Sequence, residues 1–393
     1  MIPVLERDAA ETAASTPPRC TRVRRLSRRA RAAMARLTPA DRRVLGAWGS
    51  AHVALAVVAW FSAWINGERG LYDPLLGVYG QWDYAWYQSI AAHGYFSGLG
   101  RGPDGYAFLP GDPLVLAAVH LPVRNWVVAG LLVSLIAGGV ALVYIGRLGG
   151  ERAALYLLTA PAAMYLMVGY SEALFLAFAL PAWMAAKRRD WPTATLFAAF
   201  AGLVRVNGLF LIAALVLAAL AYERGTRRLR AVAWMCASII GPGLYEIYLR
   251  AGTGSWTAWL TANKAGWGLH FVGPWRSFTD TWNMAFGQVL TPVRAPMFQL
   301  EIACMAVGIM LTLVLARHRA WPEALYCALT FAALGTTTFY QSVPRALLVS
   351  WPLYVLLGQR AERRAWIGQF YLWACAPLAA IVAVYFFLGQ WAV

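Results

Sequence analysis

The chain has 393 residues, of which 60% are hydrophobic and only 13% charged, against roughly 25% charged in an ordinary soluble domain, so the sequence reads as an all-α polytopic membrane protein. The net charge of +16 invites a nucleic-acid partner, but most of the 34 Lys and Arg residues sit in the first 43 positions or in short clusters between apolar runs, which is how membrane topology is written; no nucleic acid is expected. The five cysteines, Cys20, Cys236, Cys304, Cys327 and Cys375, lack the close spacing of a disulfide framework or a zinc site.

In chain order, residues 1–42 carry Ala, Thr, Pro and Arg with few large apolar groups and are expected to be a disordered basic cytoplasmic tail. Arg24-Arg25 and Arg28-Arg29 look superficially like a twin-arginine export signal, but no small-residue cleavage site follows. The run from about Leu45 to Ile65 is long enough for an uncleaved first transmembrane helix, and 43–393 is read as one transmembrane domain. Residues 67–125 are a mixed external segment. Within it, Gln81 to Tyr95 sets one carboxylate, Asp83, among Trp82, Tyr84, Trp86, Tyr87 and Tyr95. Such rings settle at headgroup level, so Asp83 is either a reactive acid held at the water–lipid boundary or an incidental member of an aromatic belt. Ile90 to Tyr95 reads as the end of a short helix closed by Gly94. The run Phe108 to His120 is too short to span, and is expected to lie in the interface or re-enter partway.

Further apolar runs follow at roughly 126–146, 153–169, 171–186, 191–204, 207–221, 231–249, 297–316, 321–339, 346–357 and 367–389, giving about eleven spans with the first; 191–221 is alternatively one broken helix. The eleven-span reading places the tail, Arg147/Arg152, Lys187-Arg188-Arg189, Arg224 to Arg230, Arg317/Arg319 and Arg360 to Arg364 on the cytoplasmic side, as the positive-inside rule requires. It puts the amino terminus inside and the carboxyl terminus outside, with a second external loop at about 250–296. The unusual polar residues then gather on the external face: Asp83, Asp104, Asp112, Glu172, Arg205, Asn207 and the Gln341 to Arg345 segment. A transporter carries such groups near the midplane; an enzyme for lipid-linked substrates needs them at one boundary.

Taken singly, each residue has two readings. Glu172 either caps the helix that follows it or projects into a cavity. Arg205, with Asn207 beside it, is either a functional intramembrane cation or a turn residue snorkelling to the interface, and Arg345 poses the same choice. His93 is an interfacial ring or, ten residues after Asp83, a substrate contact. The histidines have no metal-ligand spacing, and no phosphate loop, dinucleotide fingerprint or nucleophile elbow is present.

The order Trp82-Asp83, Ile90-Ala-Ala-His-Gly94-Tyr95, Phe108-Leu-Pro110, Gly169-Tyr-Ser-Glu172-Ala-Leu-Phe, Arg205-Val-Asn-Gly208 and Pro344-Arg345 leading to Trp351-Pro352 resembles the PIG-V type of mannosyltransferase, from about residue 45 to 390. The chain departs from the family's Phe-Phe-Pro-Leu-Tyr-Pro motif, since Gly111 and Asp112 intervene, which bears on the acceptor more than on the class. The resemblance implies a GT-C-like bundle with external interfacial helices or loops. It further implies inverting mannosyl transfer at the external face of a plasma membrane, from a polyprenyl-phosphate-mannose donor to a lipid or lipoglycan acceptor. The Ala/Arg/Leu-rich usage points to a bacterial membrane. In that class an acid of the first external loop serves as base, and Asp83 matches it. Expulsion of a lipid phosphate calls for cations: Arg205 and Arg345 first, Lys264 and Arg276 after them, with Trp82, His93, Glu172 and Asn207 completing the expected substrate contacts. GT-C enzymes divide between metal-dependent and metal-independent members; Asp83 with Glu172 or Asp112 offers oxygen ligands for a divalent ion, and the sequence decides neither way. The alternative from another class is a lipid-linked sugar flippase or transporter.

Overall fold

The computed structural model describes residues 37–65 and 76–392. The expected tail up to residue 36, and the start of the first external segment with Arg69, lie outside the described residues. Among the described residues there are helices and turns but no strand beyond one isolated bridge between Phe271 and Thr337. Five helical stretches are long and apolar enough to cross a membrane: Pro39–Ile65, Trp126–Leu158, Gly225–Thr253, Ala295–Arg317 and Ala365–Phe387. The protein is accordingly a multi-pass membrane protein.

The first helix, α1 (Pro39–Ile65), starts six residues before the apolar run does. The cause is local: the Asp41 amide donates to Thr38 Oγ1 at 3.1 Å and the Thr38 amide to Asp41 Oδ2 at 2.9 Å, a reciprocal capping box. Asp41 also receives Arg147 Nη2 at 2.9 Å from α4 (Trp126–Leu158). Between them lie α2 (Asp83–His93) and α3 (Gly111–Val123); the run after Phe108, expected to be too short to span, forms the 13-residue α3.

The apolar run 153–169 does not form a helical span. Helix α4 breaks at Gly150 (φ 81°) and ends at Leu158, and only a 3-10 turn, Ala163–Leu166, follows before α5 (Ser171–Lys187). Non-helical backbone inside a membrane protein is tolerated where protein surrounds it, and residues 162–176 are all buried. Local turns such as Ala163 N–H to Ala160 O at 2.8 Å and Met167 N–H to Met164 O at 2.8 Å satisfy much of that backbone. The 191–221 stretch is a hairpin rather than one broken helix. Helices α6 (Trp191–Val204) and α7 (Asn207–Tyr222) turn back at Arg205, and Trp191 Nε1 donates to Glu223 Oε1 at 3.1 Å, which sets the start of one beside the end of the other. The turn depends on Gly208: a Cβ there would lie 2.4 Å from the Gly202 Cα.

The segment expected as a loop at 250–296 is largely helical. After α8 (Gly225–Ala237) and α9 (Ile240–Thr253) come α10 (Ala258–Trp267) and α11 (Pro274–Phe286). On α11 the usual pattern is reversed. Ser277, Thr281 and Ala285 face inward, while Trp275, Trp282 and Phe286 are exposed, in a row of neighbouring rings that includes Phe278. An outward aromatic stripe on a helix too short to span suits the headgroup layer. The chain closes with α12 (Ala295–Arg317), α13 (Trp321–Leu334), α14 (Val343–Val349), α15 (Pro352–Arg363) and α16 (Ala365–Phe387). The expected run 346–357 is therefore two helices, parted at Ser350-Trp351 before Pro352.

These elements sort the bundle into two ends. One gathers the pairs Arg147–Asp41 and Arg43–Glu151, Arg152 Nη1 on the Ala361 carbonyl at 2.6 Å, and a small cavity shared by Lys187, Glu323 and Gln359. The other gathers Asp83, Ser171, Arg205 and Arg345.

We expect Gly208→Ala to lower stability by about 1–3 kcal/mol, the usual cost of forcing volume into a closed contact. Thermal unfolding of purified protein in detergent checks this, and an unchanged transition would show that the hairpin relaxes around the methyl group.

Candidate active site

Helix α2 carries its buried residues at Tyr84, Tyr87 and Ile90, a spacing of three that makes one face. Two of them anchor it: Tyr84 Oη donates to the Trp126 carbonyl at 2.5 Å, and Tyr87 Oη pairs with Ser171 Oγ at 3.0 Å. Asp83, the first residue of the helix, is thereby fixed with its carboxylate at the positive end of the helix dipole. The residue before it, Trp82, holds a left-handed backbone (φ 54°), a conformation bulky residues adopt at a cost of order 1–3 kcal/mol.

Helix α5 begins at Ser171, so Glu172 stands in its first turn, as a capping acid does. Gly169, at φ 81°, makes the sharp entry into that turn, and its amide donates to Ser134 Oγ at 3.0 Å. Glu172 is also fully buried and projects into the site, so the two readings of it are both realised. Its Oε1 accepts from Arg205 Nη1 at 2.8 Å and from Arg345 Nε at 2.6 Å. Arg345 then reaches on through Nη1 to Asp83 Oδ2 at 2.7 Å, and its guanidinium lies 4.7 Å and 5.0 Å from the ring centres of Tyr165 and Tyr170. Arg205 also donates to Ser171 Oγ at 2.8 Å. Two carboxylates and two guanidiniums thus form one balanced chain, Asp83–Arg345–Glu172–Arg205. Such burial is tolerable only with pairing of this kind. Glu172 Oε2 and Arg205 Nε remain buried without a hydrogen-bond partner, so each charge keeps capacity in reserve.

A cavity of about 290 Å³ opens on this chain, lined by Trp82, Asp83, Arg345, Phe108, Trp267 and Trp391 among others. Phe108 is braced by Trp86 and Trp267, and its carbonyl takes hydroxyls from Tyr95 and Tyr245 at 2.8 and 3.0 Å. A second, apolar cavity of about 390 Å³ lies along the other flank of α2, between Ile90, Tyr95, Pro113, Leu114, Leu244 and Tyr248.

Of the residues singled out from the sequence, Asp83, Trp82, Glu172, Arg205 and Arg345 meet here. The others do not. His93 is exposed at the opposite end of α2, about 15 Å along the axis at 1.5 Å per residue. Asn207 is buried and ties α7 to α13 through Thr330 Oγ1 at 3.4 Å. Lys264 is exposed on α10, and it is its neighbours Asn263 and Trp267 that line the cavity. Arg276 is exposed and pairs with Asp280 on its own helix at 3.6 Å. Among the described residues no group of three or more His, Cys, Asp or Glu is arranged to hold a metal ion. Asp83 and Glu172 each face a guanidinium, so the residues present do not fit a resident divalent ion. Sequence reasoning missed Tyr165, which stacks on Arg345, and Glu301, a lone acid in an otherwise apolar helix that caps the turn before Arg345.

Residues 69–240 match the family model described as mannosyltransferase (PIG-V). This segment, less than half of the chain, is similar to PIG-V-type mannosyltransferases. It holds Asp83, Glu172 and Arg205, whereas Arg345 and Glu301 lie beyond it and reach the same place through the fold. A search of curated proteins gives no match.

Glu172→Gln leaves the buried Arg345 and the partly buried Arg205 guanidiniums sharing a neutral amide. Breaking a buried pair in this way costs about 3–5 kcal/mol. Asp83→Asn, at a side chain 22% exposed, is expected to cost clearly less. Unfolding temperatures of the two variants, measured side by side, should fall in that order; the reverse order would mean that Glu172 is not the centre of the network.

Proposed function

We propose that the protein transfers mannose from a polyprenyl-phosphate-linked donor to a lipid or lipoglycan acceptor at the external face of the membrane, with Asp83 as general base. The amino terminus is inside on this reading, which is supported by Lys187, Leu315 and Gln359, from three of the basic segments, lining one small cavity at the end of the bundle away from Asp83. The observation that carries the proposal is the pairing of Asp83 with Arg345 at the wall of a cavity: one group suited to take a proton sits 2.7 Å from one suited to take a phosphate.

The chemistry is a single displacement. An acceptor hydroxyl oxygen forms a bond to the anomeric carbon, the bond from that carbon to the phosphate oxygen breaks, and polyprenyl phosphate leaves with the electron pair. The hydroxyl proton passes to the Asp83 carboxylate. Positive charge is needed where the phosphate charge grows, and a guanidinium meets phosphate with two parallel donors. In the structure Arg345 spends Nη1 on Asp83 and Nε on Glu172. Donor phosphate competes with Asp83 for Arg345 Nη1, so phosphate that draws Arg345 away frees Asp83 Oδ2 to accept the hydroxyl proton. Donor binding and release of the base are coupled through one side chain. Glu172, held from its other side by Arg205, keeps the charge balance while this happens.

The apolar cavity along α2 and the outward aromatic stripe on α11 support a substrate delivered from the lipid phase. A flippase, the alternative from another class, needs charged groups near mid-span that face each side in turn; the four charges here share one end of the bundle, which favours transfer over transport.

With labelled polyprenyl-phosphate-mannose and extracted membrane lipids, the wild-type protein should label a lipid-soluble product. Asp83→Asn should reduce the rate about 10²-fold or more with folding retained. Near wild-type turnover in a stable Asp83→Asn protein would make Asp83 a loop anchor rather than the base, whereas no labelled product from the wild-type protein would return the proposal to the flippase.

A further inference from the structure

Helix α12 is a membrane-crossing helix whose inward face runs through Met297, Phe298, Glu301, Cys304, Met305, Gly308 and Leu311. Glu301 is its only acid and is fully buried. A carboxylate in such a place is costly enough to require a specific use, and the proton-transfer scheme gives it none. Its two oxygens account for it: Oε1 accepts the Ser342 amide at 2.8 Å and Oε2 the Val343 amide at 2.7 Å.

Those amides stand at the start of α14, the helix that carries Arg345. The start is poorly provided for by its own sequence. Ser342 makes no side-chain cap and sits in the left-handed region at φ 63°, and Pro344 in the first turn has no N–H to offer. Glu301 acts as the missing cap from another helix, taking both donors that precede the proline. Arg345 follows two residues after Val343, so the direction in which its side chain leaves the backbone is set by this clamp. Clamped there, it reaches both Asp83 and Glu172.

We propose that Glu301 is a positioning residue for the transfer site, acting through the Ser342 to Arg345 turn rather than on substrate. The inference rests on the mannosyltransferase reading for its effect on catalysis, but not for its structural content. Glu301→Gln keeps the shape of the side chain and presents an NH₂ to one of the two amides, so one bond is lost. Glu301→Asp keeps the carboxyl group but falls one methylene short.

The test uses the full chain in detergent or nanodiscs with two readouts. By hydrogen–deuterium exchange, the peptide containing Ser342 and Val343 should lose protection in Glu301→Gln while peptides from α13 and α16 keep theirs. In the mannose-transfer assay, a displacement near 1 Å costs up to about 10²-fold, and Glu301→Gln should lose between ten- and a hundred-fold, chiefly in kcat/KM for the donor, with acceptor KM unchanged. The double variant Glu301→Gln/Arg345→Ala should be no slower than Arg345→Ala alone, since contacts in one network do not add. Multiplying losses in the double variant, equal loss of protection throughout the bundle, or unchanged exchange at Ser342 and Val343 would each overturn the inference. A wild-type protein that transfers no mannose, with the exchange result as expected, would leave the clamp standing and overturn the mannosyltransferase reading instead.

Discussion

Glu172 gives one oxygen to two guanidiniums, 2.8 Å from Arg205 and 2.6 Å from Arg345, at a position with no solvent exposure. A carboxylate taken out of water is held charged only by such neighbours, and they in turn are held by it. The constraint reaches far along the chain. Arg205 comes from the turn of the α6–α7 hairpin, which closes only because Gly208 admits the backbone of Gly202. Arg345 comes from a short helix capped by Glu301. Asp83 comes from a helix tied down by Tyr84 and Tyr87. Each of these arrangements is a local solution that makes sense only because its side chain ends at the same carboxylate or at the cation beside it.

The residues with the best claim on chemistry are therefore also those most expensive to bury, and the fold commits several unusual backbone features to them. Trp82 and Ser342 have left-handed backbones, and Gly150 and Gly169 admit turns where a membrane bundle would otherwise run straight. The passage through 159–170 gives up α-helix, keeping only a 3-10 turn, to bring Tyr165 and Tyr170 against Arg345. Aromatic faces next to a guanidinium hold it without competing for its donors, which leaves Arg345 able to exchange one acceptor for another.

Much of this was legible in the sequence because charges in an apolar chain stand out. Asp83, Glu172, Arg205 and Arg345 were each visible as an ionisable group out of place, and their sharing one end of the bundle followed from loop charges. Spacing along the chain says nothing about which of them touch, so their direct pairing was not visible. Hydropathy also overstated regularity: the runs at 153–169 and 346–357 are apolar enough for spans, yet one is a broken helix with a turn and the other is parted at Ser350-Trp351, because burial in protein and not lipid governs them. His93 was drawn in by its nearness to Asp83 along the chain and Lys264 by its charge, and α2 and α10 leave both exposed. The start of α1 was missed through its polar first turn, which capping by Thr38 and pairing with Arg147 hold in helix. Glu301 carried the same signal as Glu172, a lone acid in an apolar run, but lacked a neighbouring motif to call attention to it.

The central claim is that Arg345 changes partner, from Asp83 to donor phosphate, and that this readies the base. An experimental structure with polyprenyl phosphate bound tests it most directly. The account predicts phosphate oxygens within hydrogen-bond distance of the Arg345 guanidinium, the Asp83 Oδ2 to Arg345 Nη1 contact opened from 2.7 Å to beyond ion-pair range, and the contact to Glu172 kept. Phosphate bound elsewhere in the cavity, with the Asp83–Arg345 pair still closed, would contradict it.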